Sequence, residues 1–154
     1  MVNAMLALSI LGIMVGAYVS ARKSINSVKV NNIYTGSTTI TVCAILVPIV
    51  SSLSFIPNST ALIIVSTLIL IFGVGAGMML VPLNALIQAH SAKDGLGSVL
   101  AGKNWIQNMA MIGLLLLTVL LARSNVNSVY ILYFNALIAV VGFTVVLKRL
   151  KAIL

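Results

Sequence analysis

The chain has 154 residues, of which 61% are hydrophobic and 6% are charged, and its formal net charge is +8. An ordinary soluble domain is about a quarter charged, so this composition excludes a soluble globular protein and predicts an all-α membrane protein. The basic residues stand in short clusters at the ends of apolar segments and form no dense basic stripe, which excludes a nucleic-acid partner.

Five apolar segments are long enough, or nearly so, to cross a hydrocarbon core of ~30 Å, which needs ~20 helical residues. In chain order they cover about residues 1–21, 38–56, 61–88, 104–122 and 129–147. We therefore predict a single transmembrane bundle of five helices over residues 1–154. The first segment carries its positive charges after its apolar core, so we interpret it as a retained span and not as a signal peptide.

The basic residues also predict the orientation of the bundle. Eight of the nine follow the first, third and fifth spans: Arg22, Lys23, Lys29, Lys93, Lys103, Lys148, Arg149 and Lys151. Only Arg123 lies on the other side. Because positive residues favour the cytoplasmic side, we expect the N-terminus outside and the C-terminus in the cytoplasm.

Small residues recur at a spacing of four in the first and third spans. The first span has Gly12 and Gly16, and the third has Gly73 and Gly77. In lipid, helices associate through close backbone approach, and glycines at this spacing permit it. The pattern predicts tight helix–helix packing, and it also fits bundles that rock against each other during transport.

The third span ends on a polar face. Pro82 removes a backbone donor and predicts a helix kink near the cytoplasmic end. Beyond it, Asn84 and Gln88 are four residues apart, so they share one face of a helix.

The fourth span begins with a similar face, formed by Asn104, Gln107 and Asn108 beside Lys103. Unpaired amides are costly in hydrocarbon, so these side chains must face protein or water. Two interpretations remain open. The amides hydrogen-bond between helices, or they line the cytoplasmic mouth of a substrate pathway, where Lys103 attracts a phosphate.

Residues for catalysis are scarce. His90 and Asp94 are the only candidates for an acid–base pair, and both belong to a short polar loop. The single cysteine, Cys43, lies in an apolar segment and predicts neither a disulfide nor a metal site. We therefore predict no enzyme activity, no metal and no cofactor.

Two stretches resemble a known family. They are "GAGMMLVPLNALIQ" and "GSVLAGKNWIQNMAMIGLLLL", and the start "NAMLALSILGIMVGA" is similar to the same family. The chain resembles the lysophospholipid transporters of the major facilitator superfamily, and the likeness covers helices 8–12 of the twelve. It departs from the family pattern at Lys103 and Gln107, which stand where a Gln and a Glu are expected.

The resemblance implies inward movement of lysophospholipid across the bacterial inner membrane. The expected partners are this substrate and the membrane lipid around the helices. It also implies that Asn84, Gln88, Asn104, Gln107 and Asn108, with Lys103, line the substrate pathway. A facilitator encloses its pathway with two six-helix halves, so five helices are expected to need a separately encoded N-terminal portion. The alternatives are a small non-transporting membrane interaction protein and another facilitator-type solute carrier.

Overall fold

The computed structural model describes residues 2–23, 30–53, 57–91 and 95–153. These residues form five helices: α1 (Val2–Lys23), α2 (Val30–Ser52), α3 (Asn58–His90), α4 (Leu96–Arg123) and α5 (Ser128–Ile153). Each helix is long and apolar enough to cross a membrane, which fits a multi-pass membrane protein. The prediction of an all-helical chain with five helices of membrane-spanning length is confirmed.

The helices extend beyond the predicted spans: α4 begins at Leu96 and not at residue 104, and the start of α2 differs by the same amount. This helix begins at Val30, whereas the apolar segment was predicted from residue 38. The hydroxyls of Thr35 and Thr39 each donate to a carbonyl four residues earlier, both at 2.9 Å. Because their own helix satisfies these hydroxyls, a polar stretch continues the helix that hydropathy alone would end. The predicted limits at residue 1 and at residue 56 lie outside the described residues.

The α3 helix lies at the centre of the fold, with α1 and α2 packed against it and α5 packed against α2. The α1 and α3 helices run parallel, since Gly12 lies against Gly73 and Gly16 against Gly77. The α2 and α5 helices run antiparallel, with Ser52 Oγ 3.4 Å from the Tyr133 hydroxyl near one end. The α4 helix touches α5 over a small area only.

A tight turn joins α4 to α5. Asn125 has a φ of 57°, a left-handed conformation that asparagine tolerates better than most residues. This turn lets the Val126 N–H donate to the Leu121 carbonyl at 3.3 Å, and the Ser124 N–H donate to the Leu120 carbonyl at 3.0 Å. Carbonyls at the end of α4 are thereby satisfied before the chain reverses.

Candidate functional site

The polar end of α3 depends on Pro82, which is fully buried inside the helix. Proline has no N–H, so the carbonyl of Met78, four residues earlier, lacks its usual helical donor. The hydroxyl of Ser20 in α1 donates to this carbonyl at 3.2 Å. The α3 helix therefore continues to His90 with the vacated acceptor satisfied by a neighbouring helix. A bend at Pro82 stays a prediction.

A second buried polar residue supports this contact. Asn32, near the start of α2, is 5% exposed, and its side-chain N–H donates to the Ser20 hydroxyl oxygen at 3.4 Å. Hydrogen bonds thus connect α2, α1 and α3 on one side of Pro82. The sequence pattern did not point to Asn32, although an amide in a membrane helix needs a polar partner.

The α3 and α4 helices meet through one of the predicted pathway pairs. The Lys103 ammonium donates to the side-chain oxygen of Asn84 at 2.9 Å, and the contact is partly buried. Asn84 follows Pro82 by two residues, and Lys103 lies two turns into α4. An ammonium has three donors, so Lys103 has two further donors for water or an anion.

The other predicted pathway residues do not join this contact. Gln88, Asn104, Gln107 and Asn108 are all exposed on the bundle. No described residue of α4 is buried, because no other described helix covers this one. The structure therefore brings together Asn84 and Lys103 and leaves the four remaining amides on open helix surfaces.

The glycines predicted for helix packing all lie in the α1–α3 contact. A methyl group added at Gly12 would meet the backbone of Leu70, Gly73 and Val74, with the Gly73 Cα at 3.1 Å. One added at Gly77 would meet the Ala17 nitrogen at 2.6 Å. The backbones of α1 and α3 touch without intervening side chains at these glycines.

Basic side chains concentrate at one end of the described bundle. Arg22, Lys103 and Lys148 lie near the end where α1, α3 and α5 finish and α4 begins, while Arg123 lies at the other. The guanidinium of Arg22 stacks 5.0 Å from the ring centroid of Tyr18, a cation–π contact that holds it near its own helix. The end that carries Asn84 is therefore electropositive.

Only one member of the candidate acid–base pair lies within the described residues. His90 is exposed, and its Nδ1 lies 3.0 Å from the Leu86 carbonyl, so this nitrogen carries the proton when it bonds there. Asp94 lies outside the described residues, as does Lys93. Within the part of the chain that the structure describes, no group of three or more His, Cys, Asp or Glu residues could hold a metal ion.

Helices of this length, paired through glycine contacts and carrying buried polar bonds between helices, define a multi-pass helical membrane protein. Comparisons with protein-family models, with curated proteins and with solved structures find no match to this chain.

Proposed function

We propose that this chain is part of a carrier that moves lysophospholipid inward across the bacterial inner membrane. The observation that supports this most directly is the hydrogen bond between Lys103 and Asn84. It places a cation and an amide between two membrane-length helices, at the electropositive end of the bundle. A lysophospholipid presents a phosphate to such a pair and an apolar chain to the helices beyond it.

The chemistry of the pair suits a zwitterionic headgroup. Lysine binds phosphate as a point charge, and its remaining donors are available to phosphate oxygens. The Asn84 amide adds a neutral donor that does not repel the amine of an ethanolamine headgroup. The positive-inside rule favours a cytoplasmic position for this pair, the side on which a flipped lysophospholipid would be re-acylated.

Further helices complete the pathway in this proposal, whether they belong to the same polypeptide or to another. Gln107 and Asn108 are exposed on α4, and their amides are costly against acyl chains. A second bundle facing α4 would turn these amides towards a shared polar pathway, as in carriers built from two halves.

Headgroup binding tests the proposal. The single tryptophan, Trp105, lies two residues after Lys103 and is 66% exposed, so its fluorescence reports on this end of α4. In nanodiscs, lysophosphatidylethanolamine should change the Trp105 emission saturably, and a monoacylglycerol without phosphate should not. Lys103→Gln should weaken this binding about tenfold, because hydrogen bonds to charged groups contribute about 1.5–3 kcal/mol.

Lys148→Gln is the matched control, since this exposed lysine lies near the same end of the bundle and belongs to α5. Binding that is equally strong in wild type, Lys103→Gln and Asn84→Ala would contradict the proposed site. Lysophospholipid uptake in cells that carry the complete transport system would then test movement itself.

A non-transporting membrane interaction protein is the second candidate. The open surface of α4 favours it, because a helix with no buried residue among those described offers its sides to a partner protein. Such a protein would bind monoacylglycerol and lysophospholipid alike, or neither of them, and Lys103→Gln would not change the response of the Trp105 emission to lipid.

A further inference from the structure

An apolar cavity of about 390 Å³ lies between α1, α2, α3 and α5, and it is partly open to the surroundings of the bundle. Its walls include Leu6, Cys43, Val47, Phe72, Leu132 and Ala136. Ser9 and Asn135 are the side chains with hydroxyl or amide groups among the described residues that line it. Small-molecule sites have volumes of about 300–1,000 Å³, so the cavity is large enough for a ligand.

The cavity lies within the hydrocarbon layer. Cys43 is nine residues before the end of α2 at Ser52, which is about 13 Å along a helix axis. Phe72 lies near the middle of α3, which is the longest of the described helices. What surrounds the bundle at this depth is lipid acyl chains, and water is scarce there.

These surroundings decide what fills the cavity. Apolar cavities do not hold water, and even one of about 150 Å³ takes up benzene. An empty space of this size also deprives its walls of dispersion contacts, which a hydrocarbon chain would restore. A polar solute would leave most of its donors and acceptors unpaired against such walls.

We infer that this cavity binds the single acyl chain of the lysophospholipid. The choice of ligand rests on the proposed function, whereas the size, depth and lining of the cavity do not. The site is separate from the Asn84–Lys103 pair, and it adds a place for the tail to the place proposed for the headgroup.

A second, smaller cavity lies between the two places along α3. It has a volume of about 190 Å³ and lies between α2, α3 and α5, with Met79 and Gly142 in its walls. Met79 falls between Phe72 and Asn84 along α3, a distance of 12 residues or about 18 Å in total. One leaflet of the hydrocarbon core is about 15 Å thick, so a tail anchored near Asn84 extends close to Phe72.

Photo-crosslinking tests the inference without any transport measurement. The purified chain in nanodiscs is incubated with lysophosphatidylethanolamine that carries a diazirine in the distal half of its acyl chain, and adducts are mapped by peptide mass spectrometry. Adducts should concentrate on residues 43–47, 69–72 and 132–136 and be scarce on the exposed α4 segment 109–117. Equal labelling of both sets of peptides would overturn the inference, because that is the pattern of bulk lipid.

A filling variant sharpens the test. Ala44→Phe places a ring in the cavity, since Ala44 forms part of its wall, and should reduce cavity adducts about tenfold. Ala110→Phe, at an exposed position of α4, is the matched control and should leave them unchanged. Retained circular dichroism and a single gel-filtration peak identify variants that fold. If Ala44→Phe does not fold, the distribution of adducts on the wild-type chain tests the tail site by itself.

A monoacylglycerol with the same photoreactive chain separates the two proposals, because it carries no phosphate or other anionic group. Cavity adducts from both probes at equal yield support the tail site and contradict headgroup recognition by Lys103. Stronger labelling by the lysophospholipid, lost in Lys103→Gln, supports both. If neither probe labels the cavity, the tail site is overturned. The headgroup site is then tested by the Trp105 measurement alone.

Discussion

The hydroxyl of Ser20 donates a hydrogen bond to the Met78 carbonyl at the point where Pro82 removes the helical donor of that carbonyl. The bond is possible because Gly16, one turn earlier in α1, brings the two backbones into contact. A short side chain can therefore reach the main chain of the neighbouring helix. The close packing of α1 on α3 thus allows Ser20 to supply the hydrogen bond that Pro82 removes from α3.

The first prediction concerns this bond. Ser20→Ala should lower the free energy of unfolding by about 0.6–2 kcal/mol, because it leaves the partly buried Met78 carbonyl without a donor. In a Pro82→Ala background, Ser20→Ala should lower the free energy of unfolding by a smaller amount. The reason is that an alanine at position 82 would supply the missing N–H to the Met78 carbonyl. A double-mutant cycle of unfolding in mixed micelles measures the coupling.

The control for this cycle is Ser98→Ala, at an exposed position of α4, which should change stability by less than about 0.5 kcal/mol. An equal loss of unfolding free energy on Ser20→Ala with and without Pro82 would contradict the prediction. The Ser20 hydroxyl would then not compensate for the N–H that proline lacks.

The second prediction compares two glycines. An added methyl group at Gly16 would meet the Val74 Cα at 2.9 Å, whereas one at Gly113 would find nothing within 4 Å. Gly16→Ala should therefore force α1 and α3 apart and cost about 1–3 kcal/mol. Gly113→Ala should be neutral or stabilising, since alanine has the higher helix propensity. Thermal unfolding in detergent measures both, and equal effects would contradict the packing of α1 on α3.

The third prediction distinguishes buried from exposed amides. Asn32→Leu should lower the free energy of unfolding by about 1 kcal/mol, because Asn32 is buried and bonded to Ser20. Asn108→Leu should cause no loss of stability in the isolated chain, since Asn108 is exposed. A large loss for Asn108→Leu would mean that its amide already has a partner within the bundle.

The fourth prediction concerns orientation in the membrane. In a Cys43→Ala background, a cysteine introduced as Ser124→Cys should react with a membrane-impermeant maleimide in intact cells. One introduced as His90→Cys should react only in inverted vesicles. Both positions are exposed and lie at opposite ends of the bundle, so the two labelling patterns give its direction. The reverse pattern would contradict the orientation expected from the positive-inside rule.

Sequence alone predicted the number and type of the helices well, because an uninterrupted apolar segment has few alternatives in a membrane. It was less accurate for helix limits. Hydropathy falls over 31–39 although the helix continues there, and only the hydroxyl-to-backbone bonds of residues such as Thr35 explain why. The glycine spacing predicted a close contact, but nothing in the sequence of α1 says that its partner is α3 and not α2.

The candidate site was predictable in part. The spacing of residues put Lys103 beside an amide face, and the structure joins it to Asn84. The positions of Gln107 and Asn108 depend on what covers α4, and this is decided by helices packed against it and not by the local pattern. Likewise, the apolar cavity lined by Cys43 and Phe72 has walls from four helices, so no single stretch of sequence predicts it.

The parallel pairing of α1 with α3 also bears on how the protein is made. Ser20 and Met78 are 58 residues apart, so at about 5–20 residues per second the ribosome needs several seconds to synthesise the partner of α1. Throughout that interval Gly12 and Gly16 lack their contact with α3. The α1–α3 contact can therefore form only after α3 has been synthesised, and a synthesis pause before Met78 would delay it.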